Sequence, residues 1–101
     1  MAVYAIHCID KPLQQELRAA QLAQHRAYVA TATDLLVSGT LLDDEGQPIG
    51  TMLLAGFSDR RDAVEFAAND PFARAGLYAS IAVTVWVQDQ LAGDNAPPDS
   101  A

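Results

Sequence analysis

Phe66-Ala67-Ala68-Asn69-Asp70-Pro71-Phe72, followed by Gly76-Leu77-Tyr78 and the alternating run 79–87, closes a helix, breaks sharply and opens a strand. The break is forced. A residue before proline is pushed out of the right-handed helical region, so the helix that begins near Asp59 ends at Asp70. The Asp70 carboxylate is therefore expected at a helix C-terminus, where partial negative charge disfavours it unless a cation or a strong donor stands opposite. His25, half a chain earlier on another helix, is the candidate partner. The plainer reading is turn chemistry, with Asp70 bonding a nearby backbone amide and doing nothing else.

Outward from that break the elements follow in order. Residues 79–87 alternate Ile81, Val83, Val85 and Val87 with Ser80, Ala82, Thr84 and Trp86, the period of a strand. Upstream, Ser58 or Asp59 is placed to cap a helix through Arg61, Val64, Phe66 and Ala67. Residues 49–57 and 35–42 read as strands joined by the acidic turn Asp43-Asp44-Glu45-Gly46-Gln47-Pro48, hence a hairpin. Residues 2–9 read as a first strand, and Pro12 is suited to opening a helix that runs to about residue 31. Pro71 to Leu77 can add one further turn. The order β-α-β-β-α-β predicts an α+β, ferredoxin-like fold, with two helices on one face of a four-stranded antiparallel sheet.

On the long helix, Leu13, Leu17, Ala20, Gln24, Ala27 and Tyr28 make a moderately apolar side expected to pack on the sheet. Arg18 and His25, seven residues apart, lie in line at its margin, where a cleft wall would be. Tyr4, Ile6, Cys8, Leu36, Leu42, Met52, Leu54 and Trp86 occupy alternate strand positions. They are too apolar to leave in water on the uncovered face, so a homodimer packed through the open faces is expected.

The whole chain has 101 residues, enough for one domain, expected over residues 1–88, with a polar tail at 89–101 expected to be disordered. Thirteen acidic residues against six basic ones give a net charge of −7 and no basic stripe, which argues against nucleic acid as a partner. No apolar run approaches the roughly eighteen residues that span a bilayer, and no signal peptide is legible, so no membrane partner and a cytoplasmic location are expected. Cys8, the single cysteine, reads as a small buried hydrophobe in a reducing compartment. The two histidines and Cys8 make no metal-ligand pattern.

Arg18 with His25, Gly39, Gly50-Thr51, Asn69-Asp70-Pro71-Phe72 and Gly76-Leu77-Tyr78-Ala79 together resemble the YciI-like (YCII-related) family, over nearly the whole ordered chain. The resemblance implies a dimeric α+β barrel and an active site in which the family's His and Asp match His25 and Asp70. It also implies kinship with a dehydrochlorinase of a chlorinated hydroxyhydroquinone, and a fold shared with muconolactone isomerase. The chain departs from the family pattern at Leu22, where an Arg is frequent, at Thr40, where a Pro is frequent, and at Thr51, where a Ser is usual.

If His25 and Asp70 touch, the carboxylate orients the ring and fixes its tautomer, leaving the other nitrogen to move a proton near neutral pH. That suits elimination or isomerisation of a small, aromatic or enolisable substrate, without cofactor or metal. Arg18 is the candidate to hold a substrate carboxylate or phenolate, unless it is a solvated surface arginine. Thr51 and Tyr78 are candidate hydrogen-bonding groups. His7, on the first strand, is either a packed structural histidine or a further lining residue. The alternative to an enzyme is a non-catalytic ligand-binding or accessory dimer.

Overall fold

The computed structural model describes residues 1–90, and apart from its first two residues the tail expected at 89–101 lies outside them. Strands β1 (Ala2–Asp10), β2 (Leu35–Leu42), β3 (Pro48–Phe57) and β4 (Tyr78–Trp86) form one antiparallel sheet in the order β2-β3-β1-β4. Helix α1 (Gln15–Val29) joins β1 to β2, while α2 (Arg60–Ala68) and the single turn α3 (Pro71–Arg74) join β3 to β4. This is the ferredoxin-like βαββαβ arrangement expected from the sequence.

Local chemistry accounts for the joints. In the β2–β3 hairpin the Asp43 side chain accepts from the amides of Glu45 and Gln47, both at 2.9 Å, and Gly46 takes φ 82°, a conformation that favours glycine. Asp59, not Ser58, caps α2, its carboxylate accepting from the Asp62 amide at 2.9 Å. Asp70 is not a helix C-terminal residue as expected. Asn69 ends α2, and Asp70, extended at φ −57° and ψ 131°, is the N-cap of α3, accepting from the Phe72 amide. The proline that ends one helix opens the next, so the carboxylate sits at the end that favours it.

The start of α1 and its packed side both differ from expectation. Pro12 and Leu13 make a turn, Leu13 adopting φ 61° with its side chain exposed, and the helix begins at Gln15. The buried stripe is Arg18, His25 and Val29, with Leu22 half-buried among them, while Leu13, Ala20, Gln24 and Ala27 face solvent. Leu17 and Tyr28 of the expected side are half-buried, so apolar content misplaces that side in part, because two polar residues occupy the centre. They can do so because each meets a partner inside the fold.

The strand registers also reassign the sheet faces. Tyr4, Ile6 and Cys8 lie opposite Ala55, Leu53 and Thr51 on β3 and Val85, Val83 and Ile81 on β4, and they face the helices as part of the core. Both parities of β1 are apolar, so alternation alone did not tell them apart. The face away from the helices carries Val3, Ala5 and His7, with Met52 and Leu54 from β3, Val37 from β2 and Trp86 from β4.

At Gly50 a Cβ would fall 2.3 Å from the Cys8 carbonyl oxygen and 3.0 Å from a methyl of Leu41. The obstacle is backbone, so Gly50→Ala is expected to destabilise the protein by about 1–3 kcal/mol, read from the urea unfolding midpoint.

Candidate active site

The candidate side chains cluster where α1 crosses α3 on the core face of the sheet. Asp70 is 5% exposed, and three elements supply donors to its carboxylate. The Phe72 amide of α3 gives to Oδ1 at 2.9 Å, His25 Nδ1 of α1 bonds the same oxygen at 2.8 Å, and the Tyr78 hydroxyl of β4 gives to Oδ2 at 3.1 Å. A carboxylate that is ionised only accepts, so Nδ1 is the donor in that bond, and whenever the ring is neutral its lone pair lies on Nε2. That nitrogen has no bonding partner among the described residues. No buried side-chain nitrogen or oxygen among the described residues is left unpartnered.

The ring of Phe72, wholly buried, stacks on the His25 imidazole with centroids 4.1 Å apart and planes 17° from parallel. Arg18, one side of the same helix and 3% exposed, brings its guanidinium carbon to 4.5 Å from the Phe72 ring centre. Its Nε and Nη2 bond the two Asp10 carboxylate oxygens at 2.7 and 3.0 Å, and Nη2 also donates to the Thr51 hydroxyl at 2.7 Å. Arg18 is thus not a solvated surface arginine; its charge is matched by the chain's own carboxylate.

Two further polar groups are kept neutral. Burial, reinforced by the negative charge of Asp70 and eased by a bond from Tyr78, pushes the Cys8 thiol up to about 12. The Tyr78 phenol is also raised, by burial first, with the Thr51 hydroxyl pulling the other way and the Asp70 charge adding to the rise. Neither is an anion at neutral pH.

The structure therefore brings His25, Asp70, Arg18, Thr51 and Tyr78 together, and places His7 elsewhere. His7 lies opposite Met52 and Ala82 on the face away from the helices, exposed, on the parity that excludes it from the cluster. Asp10 and Phe72 were not singled out in the sequence. Asp10 ends a strand eight residues before Arg18, and a strand-to-helix turn hides that pairing from any periodic pattern. Phe72 stood in the quoted segment, and the aromatic after Asp-Pro was the available signal. Among the described residues no group of three His, Cys, Asp or Glu side chains is placed to hold a metal ion.

Sheet, helices and connectivity define the class of ferredoxin-like α+β proteins known as dimeric α+β barrels. An antibiotic biosynthesis monooxygenase of known structure shares that fold, at 13% identity and a TM-score of 0.55 over 87% of this chain and 98% of that one. Within the class, the chain belongs to the YCII-related family, whose domain model matches residues 2–87, in agreement with the resemblance drawn from the motifs. It is similar to 5-chloro-2-hydroxyhydroquinone dehydrochlorinase from Burkholderia phenoliruptrix AC1100, solved in complex with 2,5-dihydroxybenzoquinone, at 27% identity and a TM-score of 0.77. That alignment covers 84% of this chain and 93% of the dehydrochlorinase. No curated protein sequence matches the chain. No helix of the described residues is long and apolar enough to cross a membrane.

The raised thiol predicts an inert cysteine. At pH 8 the thiolate fraction of Cys8 is about a thousandfold below that of a thiol at the ordinary value of 9.0, so an aromatic disulfide reagent is expected to label it only after unfolding in urea.

Proposed function

We propose that this chain is a small lyase or isomerase in which Nε2 of His25 takes and returns a proton on a compact aromatic or enolisable substrate. The observation that carries the reading is the buried 2.8 Å bond from His25 Nδ1 to Asp70, which leaves the opposite nitrogen free to react. In an elimination, Nε2 accepts the substrate proton, the released electron pair forms the new π bond, and the leaving group departs with its own pair. The imidazolium so formed sits against the Asp70 carboxylate, which holds its orientation and offsets its charge. In an isomerisation the same proton returns to another carbon. The cycle needs no redox group.

Likeness to the dehydrochlorinase makes a halogenated hydroxyhydroquinone the first substrate to try. Chloride release from 5-chloro-2-hydroxyhydroquinone is expected for the wild-type protein, and a loss of about 10²–10⁴-fold is expected for His25→Ala and for Asp70→Asn with the fold intact. Unchanged turnover in either variant would refute the assignment. Saturable binding of 2,5-dihydroxybenzoquinone without turnover of any enolisable analogue would instead mark a ligand-binding module.

The working unit in this reading is a homodimer. Val3, Ala5, Val37, Met52, Leu54 and Trp86 leave an apolar sheet face that two copies can cover by stacking face to face. Sedimentation is expected to give twice the chain mass of 10.8 kDa. Leu54→Lys, on that face and away from His25, is expected to weaken association by about a hundredfold or more.

A further inference from the structure

We infer that Arg18 is a positioning residue and not a substrate ligand: fixed by Asp10 and Thr51, its guanidinium seats Phe72, and Phe72 in turn sets the His25–Asp70 pair. The inference rests on the proposed role of that pair and deepens it.

Three observations lead there. First, Arg18 is almost fully buried, and three of its hydrogen bonds go to the protein. Only Nη1 lacks a partner among the described residues. The two-point carboxylate contact already offsets the guanidinium charge and weakens its pull on a second anion, which could reach Arg18 only through Nη1. Second, the free face of the guanidinium is spent on the Phe72 ring, at a distance where cation–π attraction operates. Third, Phe72 touches both members of the pair, through its ring on the imidazole and its amide on Asp70 Oδ1. The chain of contact runs from Asp10 and Thr51 through Arg18 and Phe72 to His25, across β1, β3, α1 and α3. Moving the Phe72 ring would free the imidazole to rotate about its side-chain bonds and would lengthen the bond to Asp70. A misplacement of the imidazole ring by about 1 Å is enough to disable proton transfer.

The role is testable without any substrate, by reading the protonation pattern of the His25 ring in ¹⁵N-labelled protein. The chain has two histidines, so His7→Gln assigns the signals. The wild-type protein is expected to show the single tautomer protonated at Nδ1, with a slowly exchanging downfield Nδ1–H signal. In the double variant Asp10→Asn/Arg18→Met, which removes both charges so that neither is left buried alone, loss of that signal and appearance of the Nε2–H tautomer are expected. Thr51→Val, which takes away one anchor of Arg18 and little volume, is expected to weaken the same signal and decides the matter should the double variant not fold. Folded variants whose His25 signals match the wild type would overturn the inference, since an arginine that only stabilises the fold would not change the tautomer. A wild-type protein with mixed tautomers would sink both this inference and the proposed function. Absence of chloride release with the expected spectra would remove the reaction alone.

Discussion

Three donors converge on the carboxylate of Asp70, and each arrives from a different part of the fold: an imidazole from α1, a backbone amide from α3 and a phenol from β4. A buried carboxylate without such donors would cost several kcal/mol, so the three elements are constrained to meet where they do. The proline after Asp70 makes the meeting possible. It ends α2 and opens α3 within two residues, which turns the carboxylate toward α1 and puts the Phe72 amide within reach. Strand β4 then begins at Tyr78, close enough to supply the third donor.

The same economy extends through the interior. Arg18, Thr51, His25 and Asp70 are all buried, yet no buried side-chain nitrogen or oxygen among the described residues lacks a partner. Buried pairs of this kind add little net stability compared with apolar packing, but removing one member is costly. Arg18 ties α1 to β1 through the two-point contact with Asp10 and to β3 through the Thr51 hydroxyl.

Much of the architecture was legible from residues alone. Strand alternation, the Asp43 turn and the Asp-Pro break each rest on backbone rules that act over a few residues, and the element order followed from them. The in-line placement of Arg18 and His25 followed from helical spacing. What spacing did not reveal was that their stripe lies at the centre of the packed side, because apolar count favours Ala20 and Ala27, which face water. For β1 the difficulty was of another kind. Val3 and Ala5 are as apolar as Tyr4 and Ile6, so which parity faces the helices is decided by pairing with β3 and β4, at a sequence separation no local pattern reports. The Asp10–Arg18 contact is a tertiary fact for the same reason.

Leu13 shows the converse relation between chain and fold. A side chain at φ 61° costs roughly 1–2 kcal/mol, and at 89% exposure Leu13 recovers nothing by burial. The kink persists because its flanks are moored: the Lys11 amide donates to the Leu77 carbonyl at 2.8 Å, and the Arg18 amide to the Gln14 carbonyl at 3.0 Å. Excised as a peptide, residues 10–18 would relax into some other shape. Here the assembled molecule dictates to its own backbone, and the bend that launches the longest helix is a product of folding, not an instruction for it.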